Sequence, residues 1–207
     1  MSLIAIIDYD SGNVRSVAKA VEKVGFKSLV TKDKNEILSA DGVILPGVGA
    51  FADCMNKLEK YNLVDVIYKV VDNQKPFLGI CVGLQLLFEK SYEFGEHKGL
   101  SLIKGVVKKF PYKKGYKIPH MGWNSIEIEK DNPLFRGVES GSYFYFVHSF
   151  YGVSDKSVEI AKANYILDFT VAVNKNKVWG VQFHPEKSQS NGLRVLKNFC
   201  DICEDKL

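Results

Sequence analysis

The chain has 207 residues, 46% of them hydrophobic and 25% charged, and carries a net charge of +4 from 28 basic and 24 acidic side chains. That balance is too even for charge alone to point to nucleic acid. No apolar run approaches membrane-span length. At this size one domain over residues 1–207 is expected, burying about 70% of its unfolded surface. Cys54, Cys81, Cys200 and Cys203 lack disulfide-framework spacing and fit a reducing cytoplasm.

Residues 3–7 form a short apolar run leading straight into Asp8, which predicts a buried strand rather than a secretory leader. Residues 10–13 read as a turn, and Asn13 is expected to cap the next helix. In that helix Val14, Val17, Ala18, Val21 and Val24 share one face before Gly25 stops it. Strands are predicted over 26–31 and 42–45, with a short helix over 35–38 between them. The second strand opens into Pro46-Gly-Val-Gly49. Helices over 51–60 and 63–73 follow. Strands alternating with helices predict a parallel, doubly wound sheet, whose ligands gather beyond the carboxyl ends of its strands. Asp8, the 46–49 loop and Cys81 all fall at such ends.

Residues 76–80 are a strand-length apolar run, and Leu84, Leu87 and Phe88 recur at helical spacing. Between them Gly79-Ile-Cys81-Val-Gly83 has the layout of a nucleophile elbow, a tight strand-to-helix turn that holds a reactive side chain clear. A helix beginning there would favour thiolate over thiol, and the Val82 N–H would face a developing oxyanion. A small buried hydrophobe is the other reading of such a cysteine.

The second half changes character. Residues 100–110, 124–129, 143–151 and 158–163 read as strands. Residues 169–173 and 177–183 pair as a hairpin across 174–176, and a helix over 191–203 closes the chain. The fold class expected is α/β: a single-domain, three-layer mixed sheet with a parallel core and antiparallel C-terminal strands. Lys108 to Lys117 interleaves lysines with aromatics and reads as solvated lysines on a hairpin tip, contact with phosphate or nucleic acid being the other reading. Cys200-x-x-Cys203 has no second pair or nearby histidine to make a metal site. No metal or organic cofactor is suggested, because the four histidines offer no ligand spacing.

His184 follows an apolar strand, and Glu186 lies two residues on, linked by Pro185. A thiol nucleophile needs a base, and the base needs an orienting carboxylate. Cys81, His184 and Glu186 fit those roles.

Gly79-Ile-Cys-Val-Gly-Leu-Gln85 with His184-Pro-Glu186 resembles the class I glutamine amidotransferases, which hydrolyse glutamine with a Cys–His–Glu triad. Further likeness lies in Pro46-Gly-Val-Gly-Ala-Phe51, Pro119-His-Met-Gly-Trp-Asn124, Tyr145-Phe-Val-His-Ser149 and Gln182 to Ser188. Asp8-Tyr-Asp-Ser-Gly-Asn13 also fits, although Asp10 stands where a glycine is usual. The resemblance runs from about Ile4 to Phe199. It implies an oxyanion hole from Val82 and the Gly47, Val48 and Gly49 loop. It implies glutamine binding by Gln85, Glu93, His148, Ser149 and Phe150. It further implies that ammonia passes to a separate (β/α)8 cyclase, met by Asn13, Trp123, Tyr145 and Lys187. Histidine biosynthesis is the implied pathway; amination of a surface-sugar precursor, or another biosynthetic amidotransferase, is the alternative. Thiol hydrolases of the α/β-hydrolase type place their acid upstream of the histidine, unlike Glu186. An intact triad also counts against a silent scaffold.

Overall fold

The computed structural model describes residues 2–204. In chain order the elements are β1 (Leu3–Ile7), α1 (Val14–Lys23), β2 (Lys27–Thr31), α2 (Lys34–Ser39) and β3 (Gly42–Gly47). Then come α3 (Phe51–Lys60), α4 (Val64–Asp72), β4 (Phe77–Cys81), α5 (Val82–Leu86), β5 (Phe88–Ser91), β6 (His97–Lys98) and β7 (Ile103–Lys109). The rest is β8 (His120–Ser125), β9 (Glu127–Ile128), β10 (Tyr143–His148), β11 (Phe150–Ser154), β12 (Glu159–Asn164), β13 (Asp168–Lys175), β14 (Val178–Val181) and α6 (Gln189–Cys203).

The main sheet runs β2-β1-β3-β4-β14-β13-β11-β7-β5-β6, with β12 and β9 branching from β13. From β2 to β14 every pairing is parallel, and β13 then turns antiparallel. The mixed sheet expected from the sequence is therefore present. β1, β3, β4 and β14 are apolar and buried along nearly their whole length, as strands covered on both faces must be, whereas β2 at the sheet edge is mostly exposed or half-buried. The connection reverses direction between β1–β2 and β2–β3. Right-handed crossovers therefore place α1 and α2 on opposite faces. α1 packs against α6, and α2 against α4. The reversal opens a crevice beyond the ends of β1 and β3.

Three expectations need correction. Asn13 occupies the N-cap position of α1, but its side chain makes no capping bond; its amide instead reaches Glu186. The helix after Cys81 stops at Leu86, and Phe88 belongs to β5, opposite Ile103. Phe88 is fully buried, and its ring fills the space left by Gly152, where a Cβ would strike it. Five residues carry little macrodipole, so the elbow must act through its backbone geometry. Finally, residues 143–151 are two strands in different sheets. β10 pairs only with β8, as a separate two-stranded ribbon, whereas β11 joins the main sheet.

No helix among the described residues is long and apolar enough to cross a membrane.

Candidate active site

β3, β4 and β14 are parallel neighbours, so their carboxyl ends share one rim. Gly47 lies opposite Cys81 in the register, and Val181 opposite Ile80. The residues just past these ends are the 46–49 loop, Cys81 and the segment 182–186. Strand topology alone thus gathers groups that stand more than a hundred residues apart in sequence.

Cys81 has φ +56° and ψ −111°, a left-handed backbone that costs a side-chain-bearing residue of order 1–3 kcal/mol. The neighbouring glycines make this turn possible. A Cβ on Gly83 would overlap the Leu45 carbonyl oxygen, and one on Gly79 would collide with the Gly83 carbonyl. The elbow is therefore wedged between β3 and its own strand. Cys81 is 3% exposed, yet it lines an open cavity of about 280 Å³.

His184 directs Nδ1 at Glu186 Oε1, 2.9 Å away, with both side chains buried. Its Nε2 is buried without a hydrogen-bond partner among the described residues. Burial pushes the imidazole down, but the Cys81 sulfur and the Glu186 carboxylate outweigh it and raise His184 to about 10. The ring is anchored from the ribbon. His184 N–H donates to the Tyr145 carbonyl at 2.9 Å, and Ser188 Oγ donates to the His184 carbonyl at 2.6 Å while accepting the Tyr145 N–H at 3.0 Å.

Val48, Gly49, Val82, Gln85, Glu93, His148, Ser149, Phe150 and Lys187 line the same cavity as Cys81 and His184. Gly47 lies behind it, packed so that a Cβ would come within 2.8 Å of the Tyr9 hydroxyl and of Gly83 N. Several of these groups are already engaged. Glu93 Oε2 accepts the Phe51 N–H at 2.6 Å. Gln85 donates to the Phe150 carbonyl and to Gln182 Oε1, each at 3.0 Å. His148 Nδ1 lies 2.8 Å from that same carbonyl, and its Nε2 lies 3.1 Å from His120 Nδ1. Since a carbonyl only accepts, His148 must donate from Nδ1 and accept from His120. Burial holds His148 down at about 3 and His120 at about 4, so this relay is neutral.

Trp123 and Tyr145 lie opposite each other on the ribbon, with Lys187 Nζ 5.8 Å from the Tyr145 ring centroid. Trp123, Met121 and Tyr143 are all exposed there. Asn13 lies against the Glu186 carboxylate.

Sequence reasoning missed Gln182 and Ser11. Gln182 is fully buried and its Nε2 lies 3.8 Å from Cys81 Sγ. A glutamine inside the apolar run 181–183 was the available signal. Ser11 Oγ donates to the Val48 carbonyl at 2.7 Å, which nothing local announces. Cys200 is buried, and burial pushes its thiol up to about 12. No acidic, histidine or cysteine cluster suited to a metal ion occurs among the described residues.

Residues 5–203 match the family described as Glutamine amidotransferase class-I. The chain is 52% identical over 206 residues to "Imidazole glycerol phosphate synthase subunit HisH" of Syntrophotalea carbinolica, covering 97% of this chain and 100% of that one. The protein of the same name from Aquifex aeolicus is 50% identical over 196 residues, 94% of each chain. Among solved structures, that of PurLQS from Thermotoga maritima superposes with a TM-score of 0.76 at 20% identity, covering 98% of this chain and 99% of that one. The glutaminase domain of Trypanosoma brucei CTPS gives 0.71 at 16% identity, covering 100% of this chain and 95% of that one. At those identities the likeness is one of fold.

Proposed function

The chain belongs to the class-I glutamine amidotransferase family, and we propose that it is the glutaminase subunit of imidazole glycerol phosphate synthase, splitting glutamine into glutamate and ammonia. The observation carrying this reading is that Cys81 and His184 line one cavity, with Glu186 bonded to the far nitrogen of the His184 ring, in a chain about half identical to proteins of that name.

Cys81 Sγ attacks the side-chain carboxamide carbon of glutamine, and the carbonyl oxygen becomes an oxyanion. The Val82 N–H and a backbone donor from Gly47, Val48 or Gly49 receive that charge. Nδ1 of His184 keeps its proton toward Glu186, so Nε2 is the nitrogen that exchanges. It carries the proton taken from the Cys81 thiol and gives it to the departing nitrogen, so ammonia leaves and a γ-glutamyl thioester remains. The same Nε2 then takes a proton from water, which hydrolyses the thioester and frees the thiol.

Glu93 suits the substrate's α-ammonium, and backbone groups at Ser149 and Phe150 suit its carboxylate. Gln85 and His148 hold the Phe150 carbonyl between them and so shape that wall.

Ammonia in water at neutral pH is mostly ammonium and no longer nucleophilic, so a synthetic glutaminase must hand it on directly. The partner is a (β/α)8 cyclase, which converts a phosphoribulosyl-formimino nucleotide to imidazole glycerol phosphate and an aminoimidazole carboxamide ribotide. Its docking face includes Trp123, Tyr145 and Lys187. Mixing the chain with such a cyclase and following glutamate release tests the reading. Release should rise when the nucleotide is added; release indifferent to both cyclase and nucleotide would contradict it.

A further inference from the structure

Residues 9–13 reach both halves of the site through alternate side chains. Tyr9 OH donates to the Pro46 carbonyl at 2.8 Å, and Ser11 Oγ to the Val48 carbonyl at 2.7 Å. Asn13 Nδ2 approaches Glu186 Oε1 at 3.5 Å. We infer that this segment is a positioning brace: Ser11 sets the oxyanion-side loop, Asn13 sets the triad acid, and one short stretch of chain holds the two in register.

The brace lies at the end of β1, across the crevice from the end of β3. Its bonds to Pro46 and Val48 therefore tie the two sides of the strand-order reversal together. Each contact has a physical reason to persist. Tyr9 is fully buried, and burial holds its phenol protonated and able to donate. Gly12, at φ +113°, packs so closely that a Cβ would sit 3.1 Å from the Pro46 ring. Asp10 takes φ +60°, the left-handed region that explains why glycine is usual there. Tyr61 OH donates to the Asp10 carboxylate, and Lys57 Nζ donates to its carbonyl at 3.1 Å.

Val48 is exposed at the cavity, so water could otherwise compete for its carbonyl. The Ser11 hydroxyl instead pins that carbonyl and, with it, the plane of the Val48–Gly49 peptide. In a trans peptide the Gly49 N–H then points away from Ser11. Cys54 Sγ, 3.3 Å from Ser11 Oγ, adds a longer bond to the same carbonyl at 3.5 Å. At the other end, Glu186 has a 1% exposed side chain, and its Oε2 has no partner among the described residues. A buried carboxylate needs donors. Apart from His184, Asn13 is the side chain that supplies one.

This inference rests on the glutaminase reading and predicts a dissociation between two variants. With the cyclase and nucleotide present, Ser11→Ala should lower kcat roughly tenfold at unchanged KM, the scale of losing one hydrogen bond that positions a donor used only in the transition state. It should leave Cys81 carbamidomethylation by iodoacetamide, read from the Cys81 peptide by mass spectrometry, at the wild-type rate. Asn13→Ser keeps a good helix N-cap but is too short to reach Glu186. It should lower both kcat and the carbamidomethylation rate several-fold. Wild-type kcat in either variant, or a change confined to KM or melting temperature, overturns the brace. If the unmodified protein shows no turnover with the cyclase, the functional reading falls instead. The Asn13 alkylation arm, which needs no turnover, still decides the brace.

Discussion

Glu93 accepts the backbone N–H of Phe51 at 2.6 Å, joining the cavity wall to the first residue of α3. α3 begins just past Gly49, so the carboxylate proposed to meet the substrate's ammonium also accepts from the first helical N–H after that loop. Glu93→Gln keeps an acceptor for Phe51 but removes the charge. KM for glutamine should rise at least tenfold, the scale of losing one charge-assisted contact, while the melting temperature holds. Glu93→Ala should raise KM and also destabilise the fold by about 1 kcal/mol, the usual cost of losing a helix cap. Steady-state kinetics beside urea unfolding separate the two effects.

The elbow glycines predict unequal outcomes. A Cβ at Gly83 would overlap the Leu45 carbonyl oxygen, a backbone atom fixed within β3. Gly83→Ala should therefore destabilise the protein by about 3 kcal/mol or more and abolish turnover. Gly49 has open space around it but φ +93°. Gly49→Ala should cost about 1–2 kcal/mol from backbone strain and still fold. Calorimetry on the two variants checks the order.

His120 and His148 predict how the fold responds to acid. Both are held below the unfolded value of about 6.5, at about 4 and about 3, chiefly by burial. Below pH 6.5 the unfolded chain binds protons that the folded chain refuses, so stability is lost as pH falls from 6.5 toward 4. Urea unfolding at pH 7.5 and pH 5 should show lower stability at pH 5. His120→Gln should shrink that difference by removing one of the refusing groups, even if it lowers stability at both pH values.

His184 shifts the other way. Its folded value near 10 depends on Cys81 and Glu186 acting against burial. The imidazolium and the stability it brings are complete below about 6.5 and are lost as pH rises through 10. Proton NMR should find His184 still charged at pH 8. In Cys81→Ser, without the sulfur, it should titrate at a lower pH.

Much of this site could be read before any coordinates, for reasons visible in particular residues. Gly79 and Gly83 flank Cys81 because no side chain fits where the elbow meets β3, and such close approach leaves a mark in sequence. The apolar runs of β1, β3 and β4 are continuous because both faces are covered, so alternation with helices revealed the parallel core. Phe88 misled because its spacing from Leu84 suits a helix, while its ring is claimed by Gly152 on a distant strand. The aromatic run 143–151 hid a change of sheet at Ser149, since a break between strands needs no glycine or proline. Asn13 satisfied the local rule for a cap and was drawn instead to a carboxylate 173 positions away. Ser11 and Gln182 likewise matter through partners that only the fold brings near.

The most direct measurement compares two nitrogen sources in the Cys81→Ala protein assembled with the cyclase. Synthesis from glutamine should vanish, and synthesis from added ammonium salt should continue at the rate of the unmodified complex. Equal survival of both activities would contradict the assignment of Cys81 as nucleophile.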